Sequence, residues 1–319
     1  MIKTLFTPKD GARQPLPSQE EVGGKGYGLY WLAFNRFPTP LTWVFGTSAF
    51  DLAIRRIGLA DSVAKIEQGL ADPSLDWGAI QKRMDELEPH RVKVVKTLQQ
   101  MEVMDHISTA LDSLPRTASQ WAVRSSATVE DNPQYSFAGQ FLSLLSVPRE
   151  DLWSAICRVW ASNYGREALL YCAQNASPMP RMAVILQPME PLTAQDRSGV
   201  AFSHSPVPTL PGVLIQATFG SGQVVVGGYG GDLFSVQGDK VQVQVMPPDH
   251  IRVTGQEGNT VPQPPPPGPA LSEGEARRLA DLVLAVADKW GRAVDIEFVW
   301  RAGKQPMLVQ VRSIVEHEQ

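Results

Sequence analysis

Near the C-terminus two alternating runs face each other across a short polar turn: Val294-Asp295-Ile296-Glu297-Phe298-Val299-Trp300 and Met307-Leu308-Val309-Gln310-Val311-Arg312. Side chains alternate across a strand with a period of two, so each run has a mostly apolar and a mostly polar face. The pattern predicts an antiparallel hairpin with one face on a core. Asp295 and Glu297 share the other face, as do Gln310 and Arg312. Carboxylate, amide and guanidinium together suit a magnesium ion and a polyphosphate, because a hard cation takes oxygen ligands and an arginine holds phosphate oxygens. By itself the pattern also suits the solvated polar face of an ordinary antiparallel sheet.

A second convergence of polar groups lies in Trp121 to Gln140, WAVRSSATVEDNPQYSFAGQ. Trp121-Ala122-Val123 reads as a buried strand, and the turn formers from Ser125 to Gly139 put Arg124 where strand gives way to loop. The planar arginine fork matches phosphate oxygens, and loops held by rigid scaffolds often carry function. A surface pair of Arg124 with Glu130 or Asp131 is the other reading of these residues.

Upstream, Glu21 to Leu29 (EVGGKGYGL) runs into the apolar YWLAF, which predicts a glycine-rich loop opening a helix. Glycine lets the backbone approach an anion closely, a helix N-terminus favours negative charge, and Lys25 would then reach a phosphate. The spacing is not that of a Walker A loop, and GGKG also fits a flexible turn before a helix.

The remaining pattern is read as scaffold. Thr47 or Ser48 is placed to cap a helix through Arg56. Further helices are expected from Asp61 to Leu114, with Leu87, Val94, Val95 and Leu98 toward a core. Met84, Met101 and Met104 read as core fillers, and Trp153 and Trp160, seven residues apart, as packing residues. Strands are expected at Ile2 to Phe6, Phe141 to Val147 and Met182 to Met189, and helices at Arg149 to Asn163 and Arg166 to Gln174. LFSVQ and KVQVQVM continue a β-rich lobe, and GQEGNTVPQPPPPGP (255–269) predicts an extended, exposed linker. Ser272 and Glu275 form a capping box for a helix ending near Gly291.

A chain of 319 residues can bury one large core or two of medium size. Its 29 basic and 33 acidic residues give a formal net charge of −4, which argues against a general nucleic-acid binder. Cys157 and Cys172 lie in helical pattern without metal-type spacing, so neither a zinc site nor a disulfide framework is expected. The first residues lack an apolar signal region, and no apolar run reaches the roughly 18 residues of a membrane span, so the cytoplasm is the expected location.

VRSSATVEDNPQYSFAGQ resembles the VRSSAxxED…SFAGQ signature of the nucleotide-binding domain of the pyruvate phosphate dikinase and phosphoenolpyruvate synthase family. Other segments follow the family's order: GGKGYGL and its proline-containing loop FPTPLTWVFGTSAF, then MAVILQPM, SGVAFSHSP, VLIQATFGSGQVVV and DIEFVW…LVQVRSI. The resemblance implies a two-lobed α/β (α+β) ATP-grasp-like nucleotide-binding fold with ATP between lobes, the first part spanning 1–187 and the second 188–319. It implies that Lys25, Arg124 and Arg312 hold phosphates and serve catalysis, that Glu297 and Gln310 bind Mg²⁺, that Gln187 meets the adenine, and that Gly139 and Ser143 contact the ATP tail. Departures are Ser143 for threonine, Ser221 for an apolar residue, Gln223 for glutamate and Ser313 for proline.

Full-length members of that family add a domain with a phosphorylatable histidine and a substrate domain. His90, His106, His204, His250 and His317 lie in no Gly/Thr-rich loop of that kind, and the chain ends at Gln319, soon after the hairpin. The acceptor histidine is therefore expected on a separate partner, an arrangement that resembles the two-subunit phenylphosphate synthases. A regulatory ATP-binding module without turnover, which Gln223 allows, and a self-contained small-molecule kinase are the alternatives.

Overall fold

The period-two runs build two large antiparallel sheets, one in each of two compact units: Met1–Tyr27 with Leu41–Met189, and Gly28–Pro40 with Glu190–Gln319. The computed structural model describes residues 5–6, 16–70, 72, 76–129, 141–175, 177–222, 225, 230–254 and 260–314, leaving aside the side chains of Leu5, Phe6 and His106. Gly139 and Gln223 lie outside the described residues, as do Glu130, Asp131 and His317. The first unit holds β1 (Leu5–Phe6), the start of α1 (Gln19–Phe34), β2 (Trp43–Phe45), α2 (Thr47–Arg56), α3 (Ala60–Leu70), α4 (Trp77–Gln99), α5 (Asp105–Asp112), β3 (Gln120–Ala127), β4 (Ser143–Pro148), α6 (Leu152–Ser162), α7 (Arg166–Gln174) and β5 (Met182–Met189). The second holds the rest of α1, then β6 (Arg197–Phe202), β7 (Val213–Phe219), β8 (Asp232–Gln237), β9 (Lys240–Gln244), β10 (Ile251–Thr254), β11 (Thr260–Gln263), α8 (Glu273–Trp290), β12 (Val294–Trp300) and β13 (Pro306–Ser313). The mixture of helix and antiparallel sheet is the α+β class expected.

In the first unit the strand order is β1-β2-β5-β3-β4. One face of this sheet carries Trp43, Phe45, Trp121, Val123, Val184 and Leu186 into a core shared with α2 to α7. Met84, Leu87, Val94, Leu98 and Met104 are buried there, with Val95 and Met101 partly buried against it. Trp153 and Trp160 meet edge to face at 5.7 Å, a preferred geometry for aromatic rings. Helix α2 departs from the expected cap: Gly46 is the N-cap residue with no side-chain bond, while the Thr47 hydroxyl donates to the Glu20 carbonyl at 2.8 Å.

The strand at Trp121 runs further than expected. It continues through Arg124-Ser125-Ser126 to Ala127, paired with Ile185, Val184, Ala183 and Met182 of β5. Serine reads locally as a turn former, and only the partner strand makes it extended. Trp121, Val123, Ser125 and Ala127 therefore point to the helical side, and Ala122, Arg124 and Ser126 to the other.

Ser126 pins the glycine-rich segment onto that second face. Its Oγ accepts from the Gly26 N–H at 2.9 Å and donates to the Val22 carbonyl at 2.7 Å. Gly23 breaks α1 there with φ +71 and ψ 172, and a Cβ on it would sit 2.0 Å from the Ser126 carbonyl oxygen. Only glycine tolerates both that backbone and that approach. The expected loop opening a helix is thus a break inside a helical element, with Gly24 onward forming the longer helix.

In the second unit the order is β13-β12-β6-β7-β8-β9. Helix α8 covers one face, burying Ala276, Leu279, Ala280, Val283 and Val286 on Val213, Ile215, Phe234, Ile296 and Phe298. Its capping box is present: the Ser272 hydroxyl accepts from Glu275 N–H, the Glu275 carboxylate from Ser272 N–H, and Gly291 closes the helix with φ +82. Within residues 28–40, Leu32 joins this core and Trp31 meets Trp290 at 4.5 Å. Part of the expected linker is a strand: β11, Pro262 included, pairs with β10 in a two-stranded sheet. Pro262 is tolerated because both strands of such a ribbon are edges.

Ser125 and Ser126 are both fully buried, but Ser125 Oγ has no protein partner among the described residues. Ser126→Ala should lower the stability read from urea denaturation by about 1–3 kcal/mol, because it strands two buried backbone groups. Ser125→Ala should cost far less, and equal losses would contradict the clasp. Cys157 and Cys172 are free and buried, and burial pushes both thiols up to about 12. Both should resist alkylation at pH 8 in the native protein and react promptly in denaturant.

Candidate functional site

In the first unit, four residues singled out from the sequence converge on the sheet face away from the helices. Arg124 lies directly opposite Ser143 of β4 and opposite Ile185 of β5, and Gln187 is opposite Ala122. Arg124, Ser143 and Gln187 thus share one face across three strands. Lys25, half-buried, lies in the glycine segment that Ser126 holds against the same face. A helix start, a lysine and an arginine on one surface have the chemistry that suits an anion.

Each side chain has its own support. Gln187 is buried, and its Nε2 donates to Thr42 Oγ1 at 3.0 Å. Thr42 carried no sequence signal, since neither its loop nor its spacing distinguishes it. Ser143 is exposed at the start of β4. It also borders a cavity of about 510 Å³ with Arg91, Phe141, Leu142, Arg158 and Ser162. Lys25, Arg124 and Gln187 do not line that cavity, so it is not the place where the predicted residues meet.

The second unit gathers the hairpin residues as the alternation required. Asp295 lies opposite Arg312 and Glu297 opposite Gln310, all on the face away from α8. A β-bulge follows Glu297: Phe298 pairs with Leu308, which leaves Val309 as the extra residue. Strict alternation would have put Leu308 on the polar face with Gln310. The bulge resets the phase, so Leu308 and Val311 both reach the core.

Arg312 donates through Nε and Nη2 to Asp295 Oδ2 at 2.7 and 2.6 Å. Asp295 is nearly enclosed, with a side chain 9% exposed, whereas that of Arg312 is 40% exposed. Burial pushes the Asp295 carboxyl above its ordinary range; the Arg312 charge draws it down and the Glu297 charge raises it. Alternation alone places Asp295 on the polar face, and the strand register, which sets it opposite Arg312, decides that it serves that guanidinium.

Among the described residues, no group of three or more His, Cys, Asp or Glu is placed to hold a metal ion by protein ligands alone. Magnesium is usually held by one or two carboxylates together with substrate phosphates and water. The Glu297 carboxylate, the Gln310 amide oxygen and neighbouring Asp295 fit that donor set.

Residues 19–319 match the family described as pyruvate phosphate dikinase, AMP/ATP-binding domain. A probable phosphoenolpyruvate synthase of Methanothermobacter thermautotrophicus is 27% identical over 303 residues, covering 90% of this chain and 43% of that protein. A rifampicin phosphotransferase of Streptomyces sviceus is 31% identical over 292 residues, 87% of this chain and 32% of the relative. A phosphoenolpyruvate synthase of Aeropyrum pernix is 28% identical over 325 residues, 87% and 38%. The chain spans less than half the length of these curated relatives. No helix among the described residues is long and apolar enough to cross a membrane. With the family match running through both sheets and both polar faces, the chain belongs to the pyruvate phosphate dikinase AMP/ATP-binding domain family.

Proposed function

We propose that this chain binds Mg-ATP and passes a phosphoryl group from it to a histidine on a separate protein, which also carries the substrate domain. The observation that supports this most is the content of the two polar faces in a chain of this family: Lys25, Arg124, Ser143 and Gln187 on one unit, Asp295, Glu297, Gln310 and Arg312 on the other. A triphosphate leaves water only where its charge is compensated, and three basic side chains with a divalent ion provide that.

The family and the placement of these residues on the two faces support the following roles. Lys25 and Arg124 neutralise phosphate oxygens, and Gly139 and Ser143 contact the ATP tail. Gln187, its Nε2 committed to Thr42, offers the amide oxygen to the amino group of adenine. Glu297 and Gln310 hold Mg²⁺, which adds charge neutralisation at the phosphates when bound. Arg312 stabilises the charge that develops on the transferred group, and Asp295 positions its guanidinium without touching ATP. His90 and His106 sit inside α4 and α5, which fits an acceptor histidine carried elsewhere. The cytoplasm is the compartment this reading favours.

Mg-ATP at about 100 times its dissociation constant should stabilise the native state by roughly 2.7 kcal/mol, seen as a raised melting temperature. Arg312→Ala should keep that shift yet lose about 10³ to 10⁵ in transfer rate. Gln187→Ala should reduce the shift and the preference for ATP over GTP. No shift in the folded wild type would overturn the nucleotide assignment, and identical defects in the two variants would overturn the division of roles.

With pyruvate and labelled ATP, the chain alone should make little AMP, the product left once one of the two terminal phosphoryl groups of ATP has gone to the histidine and the other to water. Adding a protein bearing the family's histidine and substrate domains should place acid-labile, base-stable phosphate on that protein. Sustained AMP formation with pyruvate by the chain alone would rule out the separate acceptor.

A further inference from the structure

Strand β9 forms one edge of the second unit's sheet, and its residues are mostly exposed. The run is Lys240-Val241-Gln242-Val243-Gln244-Val245-Met246, closed by Pro247-Pro248. Between the lysine and the prolines it carries no charge, bulge or proline, the devices that normally blunt an edge.

Backbone phase decides what this edge offers. Opposed residues in an antiparallel ladder alternate between exchanging both hydrogen bonds and exchanging none. Val243 lies opposite Phe234 and Gln244 opposite Leu233, and beyond the strand the Gly231 N–H donates to the Met246 carbonyl at 3.0 Å. Lys240, Gln242, Gln244 and Met246 therefore turn their backbone toward β8. Val241, Val243 and Val245 turn theirs outward.

The side chains of those three valines point to the side covered by α8. Val241 packs on the core, but Val243 is 36% and Val245 52% exposed, so the apolar layer runs out past the sheet edge. Arg277 of α8 reaches the Asp239 carbonyl in the β8–β9 turn at 3.5 Å. Leu284, two helical turns on and 48% exposed, lies along the same side of the helix.

We propose that β9 is a dimerisation edge whose occupant is the β9 strand of a second copy of this chain, running antiparallel about a twofold axis at Val243. In that register Val243 meets Val243, Val241 meets Val245, Gln242 meets Gln244 and Lys240 meets Met246. All three outward residues oppose outward residues, each pair exchanges both backbone bonds, and no like charges oppose each other. A slip of two residues either way would set a valine against Asp239 or against Pro247, which has no N–H to give. Self-complementarity in a single register is what a closed twofold interface requires, and it makes a second copy the occupant.

The test is sedimentation equilibrium on the full chain at tens of micromolar. The wild type should show twice the chain mass, and Val243→Pro, which removes only an outward N–H, should be monomeric. Val245→Lys lies beyond β9 and should do the same, deciding the matter if the proline variant does not fold. Oxidised glutathione should cross-link Val243→Cys, because hydrogen-bonded partners sit about 5.5 Å apart at Cα, within disulfide range. Val241→Cys, about 14 Å from its symmetry mate at 3.4 Å per residue, should not cross-link. A monomeric wild type, a dimer surviving in folded Val245→Lys, or equal cross-linking of both cysteine variants would each overturn the proposal.

Discussion

The buried hydroxyl of Ser126, held between the Gly26 N–H and the Val22 carbonyl, is the contact on which the first polar face depends. It joins segments 100 and 104 residues apart in the chain. A serine in a strand interior gives up packing, and here that is offset because two otherwise stranded backbone groups are satisfied away from water. Gly23 completes the contact by having no side chain, since any Cβ would occupy the space of the Ser126 carbonyl. The result is that a lysine-bearing helix start and an arginine-bearing strand lie on one surface before any ligand arrives.

The second unit reaches a similar end by different means. Its sheet also gives one face to helix and keeps the other for polar chemistry, but the organising device is a bulge after Glu297. The extra residue, Val309, lets Gln310 and Arg312 stay level with Glu297 and Asp295 while Leu308 and Val311 both enter the core. Asp295 is then buried deeply enough that desolvation works against its charge, and Arg312 answers that charge at hydrogen-bonding distance. Arg312 remains partly exposed, so the pair joins a buried anchor to a cation that solvent or a ligand can reach.

Edges and faces of the same sheet thus have different tasks. The face away from α8 carries the carboxylates, amide and guanidinium, whereas β9 carries neither charge nor proline between Lys240 and Pro247. At the opposite edge, the Leu308 N–H is already taken by the Pro38 carbonyl. Among the described residues, the sheet is therefore asymmetric in what its two edges leave open.

Much of this was legible in the chain alone, for a physical reason: periodicity and capping are local. The alternation in Val294 to Trp300 determined which side chains of β12 share a face, Ser272 and Glu275 determined where α8 begins, and the apolar spacing around Leu87 and Val94 determined the buried side of α4. The order of the motifs also carried the family assignment. What the sequence could not decide were matters of register and of partners distant in the chain. The continuation of β3 through two serines, the binding of Gln187 by Thr42, the use of the Thr47 hydroxyl on Glu20 rather than as a cap, and the phase reset at Val309 each depend on an atom brought near only by folding. Local propensity for such residues is weak beside a buried hydrogen bond or a paired strand, and tertiary structure therefore decided them.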